Sequence, residues 1–226
     1  MSTITEKKLF VYDGQEPFHL IEASKLKVTD DFMKYDDVFG KVKKIRDLLI
    51  NILNNTNVHD FYIQGIDPSM NEDGTGIQYV AGKMPAVGHS TNWARKAALD
   101  YAPHMDSRLG TDIEYILFCG FLIKELVENG FSVNEAWHEV CSDSAKIGNY
   151  FTGKGRRSML PTGSIKVAGF ADLANTTKLL YSNNKIFIAS GAYCHKSYYG
   201  FVADISRVYD ANRKDVTSVP WVVIPV

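Results

Sequence analysis

The central segment of the 226-residue sequence reads Thr111-Asp112-Ile113-Glu114-Tyr115-Ile116-Leu117-Phe118-Cys119-Gly120-Phe121-Leu122-Ile123, a helix-capping pattern followed by the longest apolar run. In a capping box, the threonine side chain accepts a hydrogen bond from the backbone amide of Glu114, and the glutamate side chain reaches back to the first amide. Apolar residues continue on nearly every side of this segment until Asn129-Gly130, a pair that commonly ends a helix. Because a helix that is apolar on most faces is buried on most faces, we predict that this segment is the central helix of the core.

A second capping box, Ser132-Val133-Asn134-Glu135, begins two residues after that helix end. The helix that it opens has one apolar side, and two helices joined by so short a link are usually antiparallel neighbours. We therefore predict that the two helices pack together in one core. Its predicted buried residues are Phe121, Leu122, Leu126, Trp137, Val140 and Cys141.

The rest of the chain contains weaker helix signals and several short β-like runs. Helical spacing of apolar residues predicts helices over residues 36–54, 92–101 and 170–181. Short runs bounded by turn residues predict strands over residues 9–12, 61–66, 77–81, 185–190, 199–208 and 219–224. Pro220 has no amide to donate to a ladder, which favours a sheet edge or a bulge for the last strand.

These elements predict a single mixed α+β domain, with helices in the middle of the chain and an antiparallel β region at the C-terminus. Residues 1–90 form an N-terminal α/β extension in this prediction, and residues 91–226 form the helical core with the C-terminal β region. Because no low-complexity linker separates the two parts, we expect one compact domain overall.

Composition and charge exclude several classes of protein. Lys and Arg number 25 and Asp and Glu number 26, so the formal net charge is −1 and no strong field attracts nucleic acid or an anionic membrane. The apolar run over residues 115–123 has about half of the length that a bilayer requires. The first eight residues lack the apolar core of a secretory signal. We therefore expect a cytoplasmic protein, or a virion protein if the gene is phage-encoded.

Thiol and imidazole side chains show no metal-binding pattern. Cys119, Cys141 and Cys194 are an odd number without CxxC spacing, so we expect buried thiols. The six histidines show no zinc-binding spacing. The oxygen-rich turn that begins at Ser69 lacks the glutamate of a calcium loop, because Val80 stands at its twelfth position, and a glycine-rich hairpin turn explains it better. We predict neither a metal site nor a cofactor.

The most basic stretch, Gly153-Lys154-Gly155-Arg156-Arg157-Ser158, is a candidate anion site. Its glycines free backbone amides to point at an anion, and Lys154, Arg156 and Arg157 would supply the positive charge. The spacing of a Walker loop is absent, so a nucleotide phosphate loop is not indicated. The alternative interpretation is a solvated surface loop.

A segment rich in Tyr and Ser, residues 190–199, is a candidate recognition loop. Tyr offers a large rigid contact area with a polar tip, while Ser and Gly offer adaptable hydrogen bonding. Because Tyr198 and Tyr199 are adjacent, an extended chain would point them to opposite sides. We predict that Tyr193, His195 and Tyr198 line a contact surface; the alternative is an ordinary connection with its aromatic residues packed inward.

Four motifs follow one another in the C-terminal half: Leu160-Pro161-Thr162-Gly163, then Gly169-Phe170-Ala171-Asp172-Leu173-Ala174-Asn175, then Ala189-Ser190-Gly191-Ala192-Tyr193, and finally Val219-Pro220-Trp221-Val222-Val223. In this order they resemble the closing half of C-type-lectin-like domains of the formylglycine-generating type. The resemblance covers residues 130–226. It implies a fold that presents variable ligand-binding loops, as in phage and bacterial receptor-type proteins.

The motifs depart from that family at several positions. Met159 stands where the family has arginine, Ala174 replaces the glycine before Asn175, and Trp221 does not match the Gly-Phe-Arg ending. The paired catalytic cysteines of the generating enzyme have no counterpart. The resemblance therefore implies a binding scaffold and not the copper-dependent oxidase activity.

The function that this sequence predicts is that of a non-enzymatic binding or assembly protein, with a lectin-like scaffold that presents Tyr-rich loops. Its partner would be a protein or a small anionic ligand, and it could form a homo-oligomer. One alternative is a small hydrolase or transferase that holds an anionic substrate at the basic stretch, with Asp172 and His195 as acid and base. Another is a virion structural subunit that assembles through exposed aromatic residues.

Overall fold

The computed structural model describes residues 10–12, 16–27, 40–141, 159, 161–162, 166–167, 170–171, 176–189, 205–208 and 218–226. They form the α+β fold that the sequence predicts. The helices are α1 (Gly40–Asn55), α2 (Thr91–Tyr101), α3 (Asp112–Glu128) and α4 (Val133–Cys141). The strands are β1 (Phe10–Tyr12), β2 (Glu16–Ile21), β3 (Phe61–Gln64), β4 (Ser69–Met70), β5 (Ile77–Gln78), β6 (Arg108–Leu109), β7 (Lys166–Val167), β8 (Phe170–Ala171), β9 (Thr177–Ser182), β10 (Lys185–Ala189), β11 (Ile205–Val208), β12 (Ser218–Pro220) and β13 (Val222–Pro225).

A five-stranded antiparallel sheet joins the two ends of the chain, in the order β1-β2-β3-β13-β6. The C-terminal strand β13 lies between β3 and β6, with Val223 opposite Ile63 on one side and Arg108 on the other. The sheet thus pairs strands from both parts of the predicted division at residue 90. That boundary itself stays a prediction.

The main core lies between this sheet, helices α1, α3 and α4, and a four-stranded sheet formed by β9 to β12. Both capping boxes are present, because Glu114 N donates to Thr111 Oγ1 at 3.1 Å and Glu135 N donates to Ser132 Oγ at 3.3 Å. Helix α3 is buried along almost its whole length, which confirms it as the central helix. Four of the six predicted core residues are confirmed as buried, and the side chains of Val140 and Cys141 lie outside the described residues. The four are Phe121, Leu122, Leu126 and Trp137.

The opposite face of the five-stranded sheet carries a cluster of three aromatic rings. Phe18, Tyr79 and Tyr101 contact one another, with ring centroids between 5.1 and 5.7 Å apart. Gln64 is buried beside them, and its Oε1 accepts hydrogen bonds from Tyr79 Oη at 2.9 Å and from Val222 N at 2.8 Å. Helix α2 covers this face through Ala97 and Ala98.

A four-stranded sheet has the order β11-β10-β9-β12. Strands β9, β10 and β11 are antiparallel, as predicted, whereas β12 runs parallel to β9. Strand β12 lies at the sheet edge, which confirms the position favoured for Pro220. Strand β9 turns into β10 at Asn183 and Asn184, whose φ values of 49° and 58° fit the tight two-residue turn of a hairpin.

The predicted helix over residues 170–181 is wrong. The described part of this range forms β8 and β9 instead. The apolar residues have helical spacing, but β9 is buried on both faces, so alternation of apolar and polar residues could not reveal it. Backbone pairing with two neighbouring strands decides the structure there.

The observed ends of the other helices and strands lie closer to the predicted ones. Helix α2 matches the predicted range within one residue, and the turn from Ser69 is a hairpin, with β4 paired to β5. Strands β3 and β5 end earlier than predicted. The predicted strand over residues 219–224 is two strands, because the chain passes from one sheet to the other at Trp221. None of the described helices has the length and hydropathy to cross a membrane.

The two sheets meet where Gly110 contacts Trp221. Gly110 N donates to Trp221 O at 2.9 Å, Tyr181 N donates to Gly110 O at 2.9 Å, and Trp221 N donates to Leu179 O at 3.2 Å. The Trp221 ring is buried against Tyr115 and lies over the position that a side chain at residue 110 would occupy. Glycine is therefore required at this junction for steric reasons.

An ion pair fixes the start of α3 to the edge strand β6. Arg108 Nη2 donates to Glu114 Oε1 at 2.6 Å and Nη1 donates to Oε2 at 2.9 Å. Burial alone would raise the pKa of Glu114, but hydrogen bonds from Arg108 and Thr111 outweigh it and hold the pKa below its ordinary value. The carboxylate therefore adds stability at neutral pH that is lost as the pH falls through this lowered pKa.

Truncation of Trp137 to alanine should destabilise the fold strongly. The side chain is fully buried, so loss of a large aromatic should lower the free energy of unfolding by about 3–5 kcal/mol. Leu99→Ala is the control, because Leu99 is 52% exposed and its truncation should change the free energy by less than about 0.5 kcal/mol. Chemical denaturation measures both variants, and equal stabilities would contradict the predicted helix packing.

Gly110→Ala should destabilise the junction of the sheets through contact with Trp221. An added Cβ would lie 2.3 Å from two carbons of the Trp221 ring, and overpacking of this kind costs about 1–3 kcal/mol or more. Trp221→Ala removes that ring, so the cost of Gly110→Ala should shrink in the Trp221→Ala background. The four unfolding free energies form a double-mutant cycle, and a coupling of zero would show that the ring is not the obstacle.

Candidate functional site

The candidate site is one end of the four-stranded sheet, called here the Lys178 end and defined by Lys178, Ala189, Ile205 and Val219. Ala189, the last residue of β10, pairs with Lys178 on one side and with Ile205, the first residue of β11, on the other. Val219 of β12 pairs with Lys178 from the other edge. The described residues on either side of the Tyr-rich segment, Ala189 and Ile205, are therefore direct neighbours in the sheet.

Three buried polar side chains meet at this end and are called the Asp67 cluster: Asp67, Thr176 and Lys178. Thr176 Oγ1 donates to Asp67 Oδ2 at 2.6 Å, and Lys178 Nζ donates to Thr176 Oγ1 at 2.9 Å. Lys178 Nζ also forms an ion pair with Asp67 Oδ1. No member is more than 3% exposed. Buried charges are stable only when they are paired and hydrogen-bonded, and this cluster satisfies both conditions.

Local structure brings the two charges together from distant parts of the sequence. Asp67 follows β3 directly after the buried residue Ile66, and the next residue, Pro68, accepts a backbone hydrogen bond from Ala86 N at 2.8 Å. Alternation along β9 places Lys178 on the same face as Leu180, which lies in the main core. The ion pair therefore ties the segment after β3 to the first residues of β9.

A pair of hydroxyl groups holds the other face of the same strand. Thr177 Oγ1 and Ser218 Oγ are 2.5 Å apart, and both residues are buried. They lie opposite each other in the parallel pairing of β9 with β12. Polar contacts on both faces thus fix the start of β9.

A threonine anchors the chain that follows the basic stretch. Thr162 N donates to Lys83 O at 2.7 Å, Gly82 N donates to Thr162 O at 2.8 Å, and Thr162 Oγ1 donates to Val80 O at 2.6 Å. Thr162 is buried, whereas Lys83 is exposed. Arg157, the last cation of the basic stretch, precedes this anchor by five residues in sequence.

The predicted site residues Lys154, Arg156, Arg157, Tyr193, His195 and Tyr198 lie outside the described residues, as does Asp172. Their contact role stays a prediction. The Asp67 cluster was missed by sequence reasoning, which predicted a helix over residues 170–181 where the structure has strand β9. The sequence gives no signal for its partner, which lies 111 residues away.

Cys119 confirms the expectation of a buried thiol. It is 1% exposed in the middle of α3, and burial strongly raises the pKa of its thiol. Because the thiolate is the reactive form, Cys119 is chemically inert in the folded protein. Cys194 and the side chain of Cys141 lie outside the described residues. Among the described side chains, no group of three or more His, Cys, Asp or Glu could hold a metal ion.

Comparison with protein-family models found no match, and comparison with curated protein sequences found none. Among solved structures, the chain is similar to one described as the crystal structure of CarF. The TM-score is 0.54 and the identity is 13%, over 76% of this chain and 89% of the other. At this identity the likeness concerns the fold alone.

Removal of either charge of the Asp67 cluster should destabilise the protein. Lys178→Ala breaks the buried ion pair with Asp67, which typically costs about 3–5 kcal/mol of unfolding free energy. The double variant Asp67→Leu, Lys178→Met should recover much of that loss, because an apolar pair carries no desolvation cost. Denaturation compares these variants with the control Lys96→Ala, whose partner Asp100 is exposed. A Lys178→Ala variant as stable as this control would contradict the buried ion pair of Lys178 with Asp67.

Proposed function

We propose that the chain is a non-enzymatic binding protein that presents the Tyr-rich segment from the Lys178 end of the four-stranded sheet. The observation that carries this proposal is the backbone pairing of Ala189 with Ile205 beside Lys178. A recognition segment is most effective when a rigid scaffold fixes both of its ends. Ala189 is fully buried in the main core, which provides such a scaffold.

The chemistry at this end favours binding over acid–base catalysis. Asp67 and Lys178 neutralise each other within the fold and are almost inaccessible to water. A general acid or base must reach the substrate proton, directly or through one water. Tyr193, His195 and Tyr198 remain as the proposed contact residues, with His195 as a polar contact and not as a base. The C-type-lectin-like resemblance supports the same class of function.

The proposed ligand is a protein or a small anion. Lys154, Arg156 and Arg157 precede the anchor at Thr162, which itself lies against the exposed Lys83. These four cations would attract a carboxylate or phosphate group. We also place the protein in the cytoplasm, or in a virion if it is phage-encoded.

The test is a thermal-shift screen of small anions and glycans against the whole chain. A ligand of the proposed site should raise the melting temperature of the wild type by mass action. Tyr193→Ala, His195→Ala or Tyr198→Ala should then weaken binding by more than about 1 kcal/mol in at least one case, while the melting temperature without ligand stays unchanged. Calorimetric titration measures the affinity of each variant.

A matched pair of charge reversals separates the basic stretch from general charge effects. Lys154→Glu, Arg156→Glu, Arg157→Glu should abolish binding of an anionic ligand, whereas Lys44→Glu, Lys96→Glu, Lys185→Glu, at exposed positions, should weaken it little. Chemical conversion of the ligand would favour the hydrolase or transferase alternative. A stable oligomer in light scattering whose assembly depends on the three Tyr-segment residues would favour the virion subunit.

A further inference from the structure

A partly buried arginine lies at the other end of strand β9. Arg95 on helix α2 places its guanidinium carbon 3.9 Å from the centroid of the Tyr181 ring. Within the part of the chain that the structure describes, Arg95 forms neither an ion pair nor a hydrogen bond. A fully buried guanidinium group is almost always paired, whereas a partly buried one keeps N–H groups accessible. Its five N–H donors are thus available to a ligand.

Asn184 adds a second donor beside the same tyrosine. Tyr181 Oη donates to Asn184 Oδ1 at 3.1 Å, which leaves the Nδ2 donors of the amide directed away from the tyrosine hydroxyl. The backbone of Asn184 is fixed by the hairpin turn, where its φ is 58°. Arg95, Tyr181 and Asn184 are called here the Arg95 patch.

Two further aromatic rings, those of Trp93 and His89, are connected to this patch through a shared apolar cluster. Trp93, one turn before Ala97 on α2, stacks on His89 with ring centroids 3.9 Å apart and planes inclined by 22°. Trp93 and Tyr181 pack against the same small apolar cluster of Ala94, Leu179 and Ile186. All four aromatic or guanidinium side chains are partly buried, so their remaining surface is open to a ligand.

The patch is separate from the Lys178 end. Tyr181 lies opposite Ile186 next to the hairpin turn, three residues along β9 from Lys178 and on the other face of the strand. The carboxylate of Asp100, on the same helix as Arg95, is paired with Lys96. Failure of the proposed function at the Tyr-rich segment would therefore leave this inference unaffected.

We propose that the Arg95 patch binds the carboxylate or phosphate group of a small ring compound. The planar guanidinium offers paired N–H groups to two oxygens of such an anion, and Asn184 Nδ2 offers a third donor. The accessible parts of the Tyr181 and Trp93 rings and the guanidinium face provide stacking surface for the ring. A simple inorganic anion can use the N–H donors but not the stacking surface, so it should bind more weakly.

The test is a titration of the ¹⁵N-labelled full chain, followed by NMR of the arginine Nε–H and tryptophan indole signals. Arg95→Gln and Trp93→Phe assign the two signals. Phenyl phosphate or benzoate should shift both signals saturably, and the comparison of these two probes distinguishes phosphate from carboxylate. Neutral benzamide should shift neither, and inorganic phosphate should bind roughly tenfold more weakly than the better ring anion.

Variants decide whether the patch is the site. Arg95→Gln should weaken binding roughly tenfold or more, whereas Lys96→Gln, at the next position of the helix, should leave it unchanged. If Arg95→Gln does not fold, Asn184→Ala at an exposed position replaces it and should weaken binding several-fold. The proposal is overturned if neither ring anion shifts the signals at tens of millimolar. It is also overturned if the Arg95→Gln variant, or Asn184→Ala in its place, binds as tightly as the wild type, or if inorganic phosphate binds as tightly as the ring anions.

Discussion

The contact of Gly110 with Trp221 is the constraint on which the arrangement of the two sheets depends. The chain passes from the four-stranded to the five-stranded sheet at Trp221, and three backbone hydrogen bonds tie this point to Gly110, Tyr181 and Leu179. The indole ring fills the space beside residue 110 and packs on Tyr115 of α3. A larger residue at 110 would displace the ring, and with it the central helix, so one missing side chain permits both sheets to share one core.

The position of β9 follows from this junction and determines both proposed surfaces. The backbones of Tyr181 and Leu179 form hydrogen bonds to the junction, so β9 is fixed at these residues and can present different chemistry at its two ends. At one end Lys178 is held by Asp67, and at the other Tyr181 supports Arg95. Because the core beneath is close-packed, these side chains stay in position without a ligand, and binding then costs little ordering.

Local signals made part of this fold predictable from the sequence. Each capping box depends on residues three positions apart, Thr111 with Glu114 and Ser132 with Glu135, and both helix starts were predicted correctly. Strand β9 was not, because its two buried faces and its pairing with β10 and β12 are tertiary properties that its own residues do not show. The Asp67 cluster was unpredictable for the same reason, since its two charges are 111 residues apart in sequence and meet only through the tertiary structure.

The Asp67 cluster and the Arg95 patch differ in solvent exposure and in whether a neighbouring charge neutralises the cation. An ion pair that is almost fully buried is often no more stabilising than apolar residues of the same volume, and this one joins Asp67, after β3, to Lys178 at the start of β9. Opening that pair to a ligand would break a buried ion pair, which is energetically costly. Arg95 has no such cost, because its guanidinium is stacked on Tyr181 and keeps its N–H groups unused among the described residues. An anion that reaches Arg95 can therefore form charge-assisted hydrogen bonds without breaking an ion pair or hydrogen bond of Arg95 among the described residues.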